Sequence, residues 1–466
     1  MIHPLVILVL GIVTVVGLIM VLRVNAFIAL IMAAMLVSLL APGALGDKMQ
    51  RVADAFGGAT AKIGIVIALA AVIGKCLMDS GAADRIVRSF LGLLGEKRAP
   101  EALAGASFVL AMPVFFDTVF YLMVPLARSL YKQTRKNYML YVLAIGTGGA
   151  VTHTMVPPTP GPLAVAANLN IDLGVMILGG TILALPTALV GLVTARLFNR
   201  LMPVPMRPYV GEADAPAASD DSLPPLWISL LPIVLPVILI SGATLAKAVA
   251  GDGQGTIAGV IDVQRLVEVL ELLGNANLAL LFSALVAMGL LLRHRRLSLG
   301  ELAKRVEESL LSGGLIILIT AAGGALGAML AEAKVGDAVQ QFLGSEGSGG
   351  GRMLIVLAFT IAAVLKIAQG SSTVAMLTAS AMIAAMAGSP DKLPAILGCH
   401  PVYLAVATAS GSLVISWMND SGFWIVARMS VLTEAEALKS WTIQLAIVGF
   451  AGLGFVLLGA WLLPLV

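Results

Sequence analysis

The chain has 466 residues, of which 59% are hydrophobic and only 12% charged, with a formal net charge of +3 at pH 7. Soluble domains carry roughly 25% charged residues, so this composition excludes a soluble globular protein and indicates a polytopic membrane protein. Two cysteines are too few for a disulfide framework, and a small positive charge spread over many short loops gives no reason to expect a nucleic-acid partner.

Apolar stretches of roughly 17 to 25 residues, the length that crosses a bilayer as a helix, recur along the whole chain. We predict ten such spans, five on each side of a polar linker at residues 203–225. They cover residues 4–22, 26–40, 62–78, 138–156, 173–197, 227–245, 277–292, 310–330, 393–417 and 441–463. The first stretch lacks a basic leader and a cleavage site, which favours a retained helix over a signal peptide. The linker is rich in Pro, Ala, Asp and Ser and is predicted to be a cytoplasmic segment without fixed structure.

Two further pairs of shorter apolar segments lie around residues 100–130 and 350–386, and each pair is interrupted by a polar break. The first break covers residues 112–118 and the second covers residues 366–373. Paired interruptions at matching places in two halves are the best sequence indication of a solute site in a secondary transporter. We interpret each pair as a re-entrant hairpin.

The halves also match in sequence. Residues 141–149 correspond to residues 403–411, and residues 83–92 correspond to residues 336–344. Five spans in each half is an odd number, so the second half is predicted to lie inverted relative to the first. When the first residue is placed outside, Lys and Arg concentrate in the inner loops, as the positive-inside rule requires. Both termini are therefore predicted to face the outside.

Two more polar breaks interrupt apolar runs, one rich in proline at residues 152–162 and one at residues 417–422. Irregular backbone at membrane depth persists only where protein or a water-filled cavity supplies hydrogen-bond partners. Half-helices that begin at such breaks direct free N–H groups and positive dipole ends into the site, which suits the carboxylate of a small organic anion. The run Gly370-Ser371-Ser372-Thr373 adds close backbone approach and hydroxyls that match a hydroxylated acid. Alternatively, these hydroxyls satisfy carbonyls of their own helix.

Asp117 is the first candidate for a coupling residue, because burial favours the protonated form of a carboxyl group. The alternatives are that Asp117 is a fixed partner of Lys366 or a cap of the helix that follows. His153 is a candidate proton relay or anion ligand, or else a structural histidine. Asp420 is considered on the same grounds as Asp117, and Lys366 is a candidate for attracting the substrate carboxylate.

The candidate substrate-binding residues are Phe116, Asp117, Thr118, His153, Pro158, Thr159, Gly161, Gln369, Gly370, Ser371, Ser372, Thr373, Asn419 and Asp420. The candidates for proton coupling are Asp117, His153, Asp420 and Lys366. The sequence contains no metal-spaced Cys/His cluster, nucleotide-binding loop or hydrolase motif. We therefore expect no metal, no cofactor and no enzymatic activity, and a membrane-embedded enzyme is the less favoured alternative.

At these breaks the chain resembles the gluconate permease (GntP) family of the ion transporter superfamily. The likeness is carried by residues 113–117, by His153 with residues 157–162, by residues 367–375 and by residues 419–424. The resemblance implies an inner-membrane symporter of sugar acids, coupled to protons, that forms a homodimer and moves as an elevator. The elevator division then places scaffold helices at residues 1–98 and 226–346, and transport-domain hairpins and broken helices at residues 99–202 and 347–466.

Three positions depart from the gluconate-transporting members of that family. Those members tend to have Glu in place of Asp117, His in place of Thr159, and a Ser-His pair in place of Ser416-Trp417. The cargo therefore stays open between gluconate, D-serine, glycerate-like acids and other aldonates. Sodium-coupled carboxylate transport is the alternative to proton symport, and a passive channel is a further alternative.

Overall fold

The computed structural model describes residues 3–208, 223–250, 256–257, 261–335, 338 and 350–465. Within these ranges nearly all regular structure is helical, and the single exception is an antiparallel pair of two-residue strands, β1 (Thr256–Ile257) and β2 (Ile261–Asp262). Eight of the described helical segments are long and apolar enough to cross a membrane. The prediction of a helical polytopic membrane protein is thus confirmed, apart from this strand pair.

The half before the linker is a run of helices of very different lengths. They are α1 (Pro4–Met20), α2 (Ala26–Leu40), α3 (Lys48–Ser80), α4 (Ala82–Leu94), α5 (Ala99–Leu110), α6 (Phe116–Thr134), α7 (Tyr138–Met155), α8 (Pro160–Asn168) and α9 (Leu173–Leu201). Most of the predicted linker, residues 209–222, lies outside the described residues, and so does most of the repeat match at residues 336–344.

The half after the linker is likewise helical. It contains α10 (Leu226–Ala250), α11 (Val263–Gly274), α12 (Ala276–Arg295), α13 (Leu299–Glu332), α14 (Gly350–Gln369), α15 (Ser372–Met386), α16 (Leu393–Leu397), α17 (Val402–Gly411), α18 (Ser421–Met429), α19 (Glu434–Ala437) and α20 (Ile443–Leu462). A π-helical turn, Leu438–Thr442, joins α19 to α20.

The predicted span at residues 393–417 is wrong as a continuous helix. Helix α16 ends after five residues at Gly398, which has a left-handed backbone (φ +63°). Pro401 then precedes α17, which ends at Gly411. A left-handed residue ends the hydrogen-bond ladder and proline cannot restore it, so this apolar run becomes two short helices and a non-helical segment.

The two predicted hairpins differ in length. Helix α5 has 12 residues and is too short to cross a bilayer, as expected of a re-entrant segment. Helix α14 has 20 residues, which is long enough to cross a bilayer. The prediction that the apolar segment beginning near residue 350 is short is therefore wrong. The apolar sequence of α14 continues through Lys366 because the charge of that side chain is neutralised by a partner described below.

Helix α7 lies at the centre of the packing. Every residue of α7 is buried except His153, which is half-buried. The ring of Trp441 covers Gly146, and Gln444 of α20 donates to Thr147 Oγ1 on α7 and to the Gly191 carbonyl of α9 (3.0 Å). The core of the first half is therefore completed by side chains from the end of the chain.

Candidate substrate site

A cavity of about 440 Å³ lies beside α7 and α13, and all four predicted breaks contribute residues to its lining. Eight of the predicted substrate-binding residues line it: Phe116, Asp117, Thr118, His153, Ser371, Ser372, Thr373 and Asp420. These residues come from both halves of the chain. The structure therefore brings together groups that are more than 250 residues apart in the sequence.

The remaining predicted residues do not line this cavity. They are Pro158, Thr159, Gly161, Gln369, Gly370 and Asn419, together with the coupling candidate Lys366. Around the proline-rich break, the Thr159 hydroxyl donates to the Val156 carbonyl (2.7 Å) and Gly161 packs against the side chain of Met376. The prolines of this break therefore shape the protein behind the cavity wall, while His153 and Thr154 of the same break line the cavity.

Three helices begin at the cavity. Helix α6 starts at Phe116 without a side-chain cap, so its first N–H groups are available to a ligand. Ser371 caps α15, with its Oγ accepting from Val374 N (3.3 Å), and Asp420 caps α18, with its Oδ1 accepting from Gly422 N (3.0 Å). Helix N-termini carry partial positive charge and bind anions. Their convergence makes this cavity suited to a carboxylate.

The hydroxyl groups of the cavity fall into two classes. Thr154 donates to the Ala150 carbonyl of its own helix (2.9 Å), and Ser372 donates to the Ser412 carbonyl (2.8 Å). Thr118 and Thr373 form no side-chain hydrogen bond with any part of the chain that the structure describes. Among the described residues, none of the hydroxyls of residues 371–373 donates to a carbonyl of its own helix, so the alternative does not hold for them, and the hydroxyls of Thr118 and Thr373 are available to a solute.

Asp117 and His153 are polar groups of the cavity that form no hydrogen bond or ion pair with another side chain that the structure describes. Among the described residues, no cation lies within ion-pair distance of Asp117, and the alternative pairing with Lys366 does not form. The Nδ1 atom of His153 is buried and, within the same part of the chain, has no hydrogen-bond partner. Its ring meets the ring of Phe115 edge to face at 6.2 Å. Because buried polar atoms are normally paired, both groups are candidates for contact with a solute, a proton or water.

Lys366 has a different partner from the one considered in the sequence. Its Nζ donates to Asp420 Oδ2 (2.6 Å) and to the Gly370 carbonyl (2.7 Å), and only 1% of the residue is exposed. The Ser416 hydroxyl donates to the same carboxylate oxygen, and Trp441 Nε1 donates to Ser416 Oγ (3.2 Å). This chain of hydrogen bonds fixes the tip of the second hairpin to the break before α18.

Asn419 acts on the same tip. Its Nδ2 donates to the carbonyls of Ile367 (2.8 Å) and Ala368 (3.2 Å), and Trp417 Nε1 also donates to Ile367 O (2.9 Å). The last carbonyls of a helix have no partners within the helix. Asn419 and Trp417 therefore cap the end of α14 and leave the cavity to other side chains.

Sequence reasoning missed Trp441 as a wall of the cavity. Its ring stacks on Phe116 with centroids 5.7 Å apart and an angle of 15° between the planes. The π-helical turn that contains Trp441 directs the ring inward, and π-turns are frequent at functional sites. The only signal in the sequence is a Trp followed closely by the polar residues Thr442 and Gln444 inside an otherwise apolar run. Ser312, Leu315 and Ile316 of α13 were also missed, because nothing in their pattern distinguishes them from a lipid-facing helix surface.

Comparison with known proteins identifies the family of this chain. Its sequence matches the model of the GntP family permeases over residues 3–462. The chain belongs to this family. It is 30% identical to a gluconate permease of Bacillus licheniformis over 98% of this chain and 99% of that protein. It is 31% identical to a gluconate permease of Pseudomonas aeruginosa, with 96% of each chain covered.

The fold is shared with a solved transporter. The crystal structure of the Alcanivorax borkumensis YdaH transporter matches with a TM-score of 0.62 and 14% identity, covering 99% of each chain. Membership of the GntP permeases confirms the predicted resemblance and the prediction that the protein is not an enzyme. This GntP family member is a multi-pass membrane protein and a secondary transporter.

Proposed function

We propose that this protein carries a small hydroxylated monocarboxylate, gluconate or a related sugar acid, into the cytoplasm together with a proton. The observation that supports this proposal most strongly is the convergence of three helix N-termini on a cavity that also contains an unpaired carboxyl group, Asp117. The gluconate permeases among its relatives support the substrate class.

The coupling follows from the charges in the cavity. A substrate carboxylate bound at the helix N-termini lies in the same cavity as Asp117, and two close carboxylates do not both remain ionised at low cost. Lys366 cannot relieve this repulsion, because it is already paired with Asp420. Binding of the anion therefore favours a proton on Asp117. Anion and proton together are electroneutral, so uptake avoids the opposing membrane potential, worth about 2.3 kcal/mol per charge per 100 mV.

The lining of the cavity agrees with a polyol chain. Thr118 and Thr373 offer hydroxyls, and the stacked rings of Phe116 and Trp441 offer a flat apolar wall for the C–H face of a sugar acid. D-serine is the second candidate, because an ionised Asp117 would pair with its ammonium group. The two candidates differ in what they require of Asp117: a proton for the acid, and a negative charge for the amino acid.

Uptake into proteoliposomes tests the proposal. Labelled gluconate is expected to accumulate above its external concentration when an inward proton gradient is imposed, and not when a sodium gradient replaces it. Accumulation driven by sodium alone would overturn proton coupling, and uptake that never exceeds equilibrium would indicate a channel. A screen of sugar acids, short hydroxy acids and D-serine in the same vesicles identifies the cargo.

The Asp117→Asn variant separates binding from coupling. It is expected to exchange external for internal substrate at a rate near that of the wild type, while losing accumulation driven by the proton gradient. Loss of D-serine binding instead would favour the amino acid as cargo. Asp54→Asn is a matched control, since Asp54 is exposed on α3 and hydrogen-bonds only Gln50 among the described residues. Full proton-driven accumulation by Asp117→Asn would remove Asp117 as the carrier.

We propose the architecture on the same basis. The breaks between α5 and α6 and between α14 and α15 occupy matching positions, which supports two inverted repeats. Scaffold helices would lie at residues 1–98 and 226–346, and mobile transport elements at residues 99–202 and 347–466, within a homodimer in the inner membrane. Both termini would face the periplasm. Cysteines introduced at His3 and Leu465 should then react with an impermeant maleimide added to intact spheroplasts.

A further inference from the structure

A second cavity, of about 510 Å³, lies far from the substrate site along the helices, at the end of the bundle where α5 and α7 begin and α9 ends. Four basic side chains line it, Lys97, Lys136, Arg196 and Arg200, with a single carboxylate, Glu101. A smaller adjoining cavity of about 330 Å³ shares Lys136 and adds Arg135. The combined opening is therefore strongly positive.

Most of this charge has no acidic partner within the described ranges of the chain. Arg196 donates to Glu101, which leaves Lys97, Lys136 and Arg200 without an acidic partner among the side chains that the structure describes. The floor beneath them is fixed, because Asn199 donates to Asn137 (3.0 Å) and accepts from Leu140 N (3.2 Å). Unpaired cations around an ordered floor attract an anionic group with several acceptor oxygens.

An apolar surface continues from the same place along α9. Leu189, Val193, Leu197 and Leu201 follow one another at intervals of four residues, and each is between 51% and 72% exposed. Residues four apart lie on one side of a helix. Arg196 and Arg200 share this part of α9, so the cations adjoin a ridge that a free inorganic anion would not use.

We propose that this cavity binds the phosphate group of an anionic phospholipid, with an acyl chain along the apolar ridge of α9. Basic pockets between membrane helices on the cytoplasmic side bind anionic headgroups. Lys136 and Arg200 supply the charge, and the ridge selects a lipid over a soluble phosphate. This assignment stands apart from the transported substrate and does not depend on it.

Lipid titration tests this site. The purified full-length protein, in a detergent with a neutral headgroup, is titrated with phosphatidylglycerol while its unfolding temperature is followed. The wild type is expected to show a saturable rise. The double variant Lys136→Gln with Arg200→Gln should need a roughly 25-fold higher lipid concentration, since each Lys or Arg near an anionic lipid contributes about a factor of five. Lys136→Arg with Arg200→Lys should respond like the wild type.

The matched control is the double variant Arg293→Gln with Lys304→Gln, which removes two exposed cations from α12 and α13. It should respond to phosphatidylglycerol at wild-type concentrations. The site is wrong if the Lys136 and Arg200 double variant also responds at wild-type lipid concentrations. It is also wrong if the control needs as large an increase in lipid concentration as that double variant. Phosphatidylcholine and glycerol 3-phosphate, a headgroup without chains, should give no rise at matched concentrations. An equal rise with glycerol 3-phosphate would overturn the assignment to a lipid.

Discussion

Lys366 and Asp420 form a buried ion pair, 2.6 Å between Nζ and Oδ2, that joins the end of α14 to the start of α18. Their side chains are only 2% and 12% exposed. A buried pair of this kind contributes little over an apolar replacement, whereas removing one partner leaves an uncompensated charge. The pair therefore sets the shape of the substrate cavity through the position of the second hairpin tip.

Lys366→Met is expected to lower the free energy of unfolding by about 3 to 5 kcal/mol, because Asp420 remains buried without its cation. The double variant with Asp420→Asn should lose less than the sum of the two single variants, as measured by thermal unfolding in detergent. Additive losses would contradict the coupling. Lys247→Gln is the control, since its pair with Glu271 is exposed and should contribute less than about 1 kcal/mol.

Gly370→Ala is expected to reduce both the folded yield and transport. Gly370 has φ +82°, and an added Cβ would overlap the carbonyl oxygen of Asn419. Gly398 has a similar backbone, φ +63°, but open space around its Cα. Gly398→Ala therefore carries only the left-handed strain, about 1 to 2 kcal/mol, and Gly370→Ala should cost about 1 to 3 kcal/mol more. Equal unfolding temperatures for the two variants would contradict the close contact with Asn419.

Gly146→Ala tests the position of Trp441. An added Cβ on Gly146 would lie 2.5 Å from Cζ3 of that ring, so the indole must shift from its stacked position on Phe116. We expect substrate uptake to fall by tenfold or more, on the order of 1.4 kcal/mol, with the protein still folded. Gly289→Ala in α12 is the matched control, since no atom lies within 4 Å of its added Cβ. Unchanged uptake by Gly146→Ala would show that the ring position does not matter.

His153→Phe is expected to raise the KM for the transported anion by about fivefold, the value of one hydrogen bond of about 1 kcal/mol, while stability stays level or rises. The reason is that the buried Nδ1 has no partner within the described residues, so its removal costs the empty protein nothing. His400→Phe should lower stability and leave the KM unchanged, because His400 Nδ1 accepts from Val402 N (3.1 Å) and this hydrogen bond is lost. A loss of stability in His153→Phe without a change in KM would assign this histidine a structural role.

The sequence predicts helix boundaries well where an apolar run is uninterrupted. The prediction at residues 26–40 matches α2 at both ends. It fails at residues 393–417, where Gly398, His400 and Pro401 interrupt the apolar run and the left-handed backbone of Gly398 ends the helix. The polar breaks were located correctly because charged and hydroxyl side chains are costly in hydrocarbon, so their presence in an apolar run marks a place that does not face lipid.

Within the candidate site, residue types were predicted better than their partners. Asp117 and His153 lie in the cavity, but the partner of Lys366 is Asp420, on a segment 54 residues away, and no local pattern specifies that contact. Trp441 was missed because its inward position depends on a π-helical turn. Long-range pairing and local helix irregularity are tertiary properties, so they follow from packing and not from spacing.

The coverage of α7 by residues near the end of the chain has a consequence for biogenesis. When ribosomes release α7 into the membrane, the residues that will cover Gly146 and Thr147 have not been synthesised. Tyr138, at the start of α7, donates its hydroxyl to the carbonyl of Ser430 (3.1 Å), which is also synthesised later. We therefore expect that the amino-terminal half does not fold by itself. A gene split in the linker should yield active protein only when both fragments are made in the same cell.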